Sequence, residues 1–351
     1  MKKSALGLDV NQALRSSVAD FGHVNPWLGL CRFSVLGALS LSLITLAWRL
    51  DNLILFSLVT AIAGIVYAFW LICTHDSTHN TLTGWGWFEA ISPRLISWPM
   101  LWPYGTYAEL HLLHHAWNGV DLRDPERVEW TLEEYQQAKP FLRWYVRHQW
   151  LIDMFVLGGL GLVIKTLRQG IHLSSLRSGL RKQIGLDLGG MILIQGLFGT
   201  IALSQGLFGR YLLFWFILER MIGIIVQMRD HLEHYGRWGQ REGHLLTQLY
   251  AGRNLQVNRL TNWLMGGLPY HSVHHGFPQL PFNQLPEAFG RIQEVLQEYD
   301  LPPMELGKGY LQETLSLSQH PTVWSENEHT TLAITKRNLS YSCIFKHKYR
   351  L

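Results

Sequence analysis

Three short stretches gather eight of the chain's seventeen histidines: THDSTHN at 74–80, HLLHH at 111–115 and HSVHH at 271–275. The spacing within each is helical. His75 and His79 stand four apart, while His111, His114 and His115, and again His271, His274 and His275, stand three and four apart. On a helix such positions share one face, so each stretch can aim two or three imidazoles at one point. A single histidine is more often a hydrogen-bonded core residue than a ligand. Eight neutral bases brought together are different, because without a cation most of their lone pairs go unused. The chemistry indicated is metal binding. The donors outnumber what one tetrahedral or octahedral ion can take, so two ions are expected. Imidazole suits zinc, copper, iron and nickel alike, and ligand type leaves the metal open. Cys31, Cys73 and Cys343 have no metal-type spacing, and no disulfide framework is expected.

The elements that must position these histidines are strongly apolar. The chain is 48% hydrophobic and 16% charged, against about 25% charged in ordinary soluble domains. Its fifteen tryptophans suit membrane interfaces, where one edge of the ring is dry and the other wet. Residues 53–73 hold no charge; at about 1.5 Å per residue they extend roughly 31 Å, enough to cross a bilayer core. Residues 28–48 form a second apolar run, with Arg32 near its start where it could snorkel to the surface. RLDN at 49–52 joins the two as a helical hairpin, and 188–209 with 211–228 read as another. The expected fold is all-α and integral to the membrane. It has about four transmembrane helices in two hairpins and a cytoplasmic helical cap carrying the histidine clusters.

Basic residues give the orientation. Lys165, Arg168, Arg177, Arg181 and Lys182 crowd 165–182, whereas the outer turns carry only Arg49 and Arg210. The positive-inside rule places 74–186 and everything after 229 in the cytoplasm. Two weaker apolar stretches, 88–102 and 149–164, must then lie in the interface or dip in and return, since a lone crossing would separate the clusters. Pro93, Pro99, Pro103 and Gly158, Gly159 and Gly161 fit irregular segments of that kind. Residues 1–27 read as a polar lead, 28–315 as one membrane domain and 316–351 as a polar, loosely ordered tail ending in basic FKHKYR. The net charge of +4 comes with no long basic run, so a nucleic-acid partner is not expected and membrane lipids are.

HxxxH, HxxHH and HxxHH divided by an apolar hairpin resemble the integral-membrane fatty acid desaturase superfamily. HDSTHN is similar to that family's first box, HLLHHAWNGVDLRDPE to its second, and YHSVHHGFPQLPFNQLPEA to its third. The resemblance covers about residues 30–300. It implies a non-haem centre of two iron ions that uses dioxygen, with His75, His79, His111, His114, His115, His271, His274 and His275 as ligands. It also implies a ninth ligand between the last span and the third box. In RDHLEHYG that is His234, with His231 one turn earlier as competitor or helix cap. Asp76, Glu109, Asp124 and Glu233 could orient imidazoles by accepting their second N–H, or could be solvated helix-end charges. An asparagine near the metals is a feature of some relatives, and Asn254, Asn258 and Asn262 are all suitably placed before the third box. No HPGG-like haem motif occurs, so the implied electron donor is a separate protein such as ferredoxin or cytochrome b5.

The expected activity is desaturation of a lipid acyl chain by an oxygen-dependent oxidoreductase. A carotenoid hydroxylase or ketolase of the same superfamily is the alternative, because the ligand set serves both. A metal transporter is the reading from another class, but its histidines should line a path within the spans. The pair Glu219-Arg220 falls inside the fourth apolar run. Neighbours on a helix point about 100° apart, so each is expected to find its own partner, beside the substrate path or in a neighbouring helix.

Overall fold

The computed structural model describes residues 2–325, 330–334 and 339–343. A first helix, α1 (Lys2–Ser17), precedes α2 (Pro26–Trp48) and α3 (Leu53–Thr78). Both of the latter begin on asparagine caps: Asn25 accepts from the Trp27 amide, and Asn52 accepts from the amides of Ile54 and Leu55. These caps satisfy amide groups that the helix itself leaves unpaired. Next come α4 (Gly86–Ser97), α5 (Tyr104–Trp117), α6 (Leu132–Gln137) and α7 (Pro140–Leu151). A π-helical turn, Ile152–Leu157, separates α7 from α8 (Gly158–Leu173). The long pair α9 (Ser178–Ser204) and α10 (Phe208–His234) follows, then α11 (His244–Tyr250) and strand β1 (Asn254–Leu255). The chain continues through α12 (Arg259–Leu264), α13 (His271–Gly276), α14 (Leu285–Glu298), β2 (Leu306–Gly307) and α15 (Tyr310–Gln319). It closes, among the described residues, with β3 (Thr322–Ser325), β4 (Thr330–Ile334) and β5 (Leu339–Cys343).

The protein is mostly helical but not all-α. β1 and β2 pair in parallel, and β3, β4 and β5 form an antiparallel sheet. Nor is the chain beyond 315 uniformly loose. α15 runs on to Gln319, and Val323 is fully buried in a small core with Tyr135 and Val146. The Thr322 hydroxyl donates to Glu129 at 3.0 Å, tying β3 to the loop that follows the second histidine cluster. The FKHKYR end lies outside the described residues.

Among the described residues, five helices rather than four are long and apolar enough to cross a membrane: α2, α3, the broken helix Pro140–Leu173, α9 and α10. Their outer faces are unusually apolar for a protein surface. Ile54, Ile192 and Leu193 are each 71% exposed, and Leu39, Leu41, Leu58, Ile62, Leu197 and Phe216 are also exposed. Exposed apolar faces of this kind mark surfaces that meet lipid or another protein. The helices reach beyond the apolar runs legible in sequence. α3 continues through His75 to Thr78, and α10 through His231 to His234, so histidines occupy the final turn of each.

The hairpin turns lie side by side, for Arg210 donates to the carbonyls of Ala47 (3.3 Å) and Leu50. Away from those turns, Asp187, ten residues into α9, is fully buried. It accepts from the amides of Gly105 (3.2 Å) and Thr106 (2.7 Å) and from the Thr106 hydroxyl (2.9 Å). A carboxylate on the N-terminus of α5 satisfies its free amides and favours its dipole. It also fixes the helix that carries the second cluster.

The broken helix has both ends at the histidine side. Gln149 of α7 donates to the Val128 carbonyl, and Leu173 at the end of α8 packs with Leu110 and Leu180. Its break reaches the middle of α10. Gly158, at φ +57°, lies against the Arg220 guanidinium, and Gly223 approaches the backbone of Gly158 and Gly159 so closely that a Cβ there would clash. A non-glycine residue would be strained at that φ.

Two expectations about charged residues need correcting. Arg32 does not snorkel; its side chain is fully buried and bound to Asp76. Glu219 and Arg220 do pair with each other, because their long side chains bridge the angle between neighbouring positions. Together they grip the break: Glu219 accepts from the Leu160 amide (2.8 Å), and Arg220 donates to the carbonyls of Val156 (2.6 Å) and Leu157 (2.9 Å).

Candidate metal centre

All nine singled-out histidines converge, and they do so as two buried groups. One comprises His75, His79, His111, His115 and His274; the other comprises His114, His234, His271 and His275. In each, one nitrogen per ring lies within 4.8 Å of every other. The first group joins the end of α3 to α5 and α13. The second joins α5 and α13 to the end of α10. The rings of His115 and His275 stack at 4.2 Å, so the groups adjoin. His231 belongs to neither. Its Nδ1 donates to the Gln227 carbonyl (3.1 Å) and its Nε2 faces Asp153 at 3.0 Å.

The nitrogens face one another as ligands would. Nε2 of His234 lies 3.0 Å from that of His114 and 2.9 Å from that of His271. In the other group, Nε2 of His115 lies 3.1 Å from those of His111 and His274. Donors held about 2.0–2.1 Å from a common ion sit at such separations. The buried Nε2 atoms of His75, His79 and His275 have no hydrogen-bond partner in the protein. Unpaired buried nitrogens are costly, and a cation in each group would employ them. The residues present fit metal.

Behind the rings, the opposite nitrogens are occupied. Nδ1 of His114 donates to both oxygens of Asp124 (2.8 and 2.9 Å), and Nδ1 of His111 to both of Glu126 (2.9 and 3.1 Å). His234 donates to the Ala251 carbonyl at 3.0 Å and His275 to Gln248 at 2.9 Å. A donating Nδ1–H leaves the Nε2 lone pair free and fixes the ring's orientation. Burial, then neighbouring imidazoles, pushes His115, His271, His274 and His275 well below the usual histidine range, so they are neutral bases. Burial opposes charge on His114 too, but Asp124 and Glu126 outweigh it and lift its pKa to about 9.

The other polar neighbours divide. Asp76 lies 3.5 Å from Nδ1 of His75, and Glu233 lies 3.6 Å from Nδ1 of His271 and 3.5 Å from Arg229. Glu109 instead pairs with Arg177 at 2.7 Å. Asn258 is an exposed cap that accepts from the Thr261 amide. Asn262 is half-buried and its amide oxygen has no partner. Asn254 accepts from the Ser272 hydroxyl at 2.8 Å, within the third cluster. Glu126, Gln248 and the Ala251 carbonyl were not singled out from sequence. Glu126 lies inside the DPE turn, but nothing about a loop fifteen residues after His111 tells where its carboxylate points.

An apolar cavity opens beside the first group, between α3, α5, α8 and α10. Leu71, Ile72, Met100, Leu162, Ile222 and Val226 line its length, His75, Tyr107 and Glu126 one end, and Gly159 and Glu219 the other. From Asp230 to Glu219 on its α10 wall it extends about 16 Å, at about 1.5 Å per residue.

Against proteins already described, the sequence model of the fatty acid desaturase family matches residues 52–307, which contain both histidine groups and the cavity. The chain belongs to the fatty acid desaturase family. It is 25% identical over 217 residues to a protein of Euglena gracilis described as a delta(8)-fatty-acid desaturase. The aligned part covers 56% of this chain, and the chain spans about half the length of that curated relative.

Proposed function

We propose that the protein is an oxygen-dependent di-iron oxidoreductase that introduces a double bond into a lipid acyl chain. One observation carries this reading: two adjoining groups of imidazoles stand at the end of an apolar cavity inside a membrane protein. The nine histidines would hold two irons, which with dioxygen and electrons supply an oxidant able to take hydrogen from an unactivated methylene.

The chain's own residues do the rest. Asp124, Glu126, Gln248 and the Ala251 carbonyl hold the imidazoles in the tautomer that presents Nε2. The Tyr107 ring stacks on His111 at 5.1 Å and walls the cavity beside the donors. Leu71, Ile222 and Val226 offer a methylene chain an apolar surface and exclude water from the reacting carbon. Glu219 and Arg220, satisfied by each other and by the break in the broken helix, close the far end.

Packing supports two membrane hairpins, α2–α3 and α9–α10, with Pro140–Leu173 dipping in and returning. Both of its ends lie at the histidine side, and only an even number of crossings between His115 and His234 lets these residues share a site. The basic cluster 165–182 favours the cytoplasm for that side. Electrons would come from a separate carrier of the ferredoxin or cytochrome b5 kind.

Lipids and pigments of a host expressing the protein, analysed by mass spectrometry against a host expressing the His274→Ala variant, test the activity. A new double bond in acyl chains, absent with the variant, is expected. Hydroxylated or keto carotenoids with unaltered acyl chains would replace this reading with pigment oxygenation.

A further inference from the structure

Arg32 is a guanidinium with no exposure to solvent, seven residues into α2 and remote in sequence from every histidine of the two groups. Burying a cation costs several kcal/mol unless it is paired and hydrogen-bonded. Here the partners come from two other segments. Nη1 donates to Asp76 at 2.7 Å, Nε to the Trp263 carbonyl at 2.8 Å and Nη2 to the Leu264 carbonyl at 3.2 Å. The Phe282 ring lies 5.3 Å away, beyond the third histidine cluster. Gly266, at φ +62°, leaves room for the guanidinium; a Cβ there would come within 2.7 Å of it.

The segments joined are the ones that must meet in the first histidine group. Asp76 lies between His75 and His79, and residues 263–266 lead into the helix carrying His274. Across this junction the His274 ring lies 4.4 Å from that of His75 and 4.6 Å from that of His79. The second group takes no residue from α3.

We propose that Arg32 is a positioning residue for the five-histidine group alone: it fastens the first histidine cluster to the chain entering the third. The inference rests on reading both groups as metal sites. A lysine could reach Asp76 but, as a single compact ammonium, could not also span the two carbonyls as the planar fork does.

The test is anaerobic Fe(II) titration of the full chain in detergent, comparing wild type with Arg32→Lys and Arg32→Gln. Arg210→Lys, which loosens the same hairpin at its far turn, is the control. Wild type and control should take up iron at both groups. Both Arg32 variants should keep one site unchanged and weaken the other about 10–100-fold, the usual effect of losing an outer support. Two unchanged sites in the Arg32 variants would overturn the inference. So would equal weakening of both sites, or loss of fold even with lysine, either of which would make Arg32 a general scaffold. A wild type that binds no iron would overturn the metal reading itself and the inference with it.

Discussion

Nε2 of His114 and Nε2 of His234 lie 3.0 Å apart although 120 residues separate them. The intervening chain makes a full excursion through the broken helix and the α9–α10 hairpin before it returns. Each ring is fixed from behind, His114 by Asp124 and His234 by the Ala251 carbonyl. Their approach is therefore imposed by the fold on both sides.

Asp124 is the most exacting of these supports, with its side chain fully buried and both oxygens on one imidazole. Asp124→Asn should weaken metal binding by the second group about 10–100-fold while the protein stays folded. Equilibrium competition with a chelator measures this, and unchanged affinity would show that His114 needs no orienting carboxylate.

The Glu219–Arg220 pair predicts a ranking. Arg220→Leu alone leaves a buried carboxylate without its cation, a change that costs about 3–5 kcal/mol where such pairs have been broken. Glu219→Gln with Arg220→Leu removes the charge together with its partner and should cost less. Thermal midpoints in detergent should therefore place the single variant below the double. The double variant should still lose turnover, because the break in the broken helix and the cavity's closed end lose their fastening. Normal turnover in the double variant would reduce the pair to decoration.

Topology separates four crossings from five. Reporters fused at residues near 120, 175 and 245 should all read cytoplasmic, and those near 51 and 206 should read on the far side. A far-side signal at 175 would mean that Pro140–Leu173 crosses the membrane.

The donors were legible because helical spacing alone brings imidazoles onto one face, and the hairpins because uncharged runs of this length have few other uses. His234 needed a family resemblance to separate it from His231, which has the same local surroundings in sequence. What stayed hidden depends on contacts between distant segments. Nothing local marks Asp187 as the anchor of α5 or Arg32 as the partner of Asp76. An apolar run likewise gives a length and not a path. The path of 140–173 turns on a π-helical segment and on Gly158, which sits at φ +57° against Arg220. Asn258 shows that spacing does not fix a role, since this residue, suitably spaced before the third cluster, caps α12.

The most direct test is the metal content of active protein, purified without added metal and quantified by elemental analysis alongside turnover. Two groups of histidines predict close to two irons per chain, lost in parallel with activity in His75→Ala, His114→Ala and His274→Ala variants that still insert into membranes. Active protein carrying stoichiometric zinc and no iron would contradict the di-iron assignment.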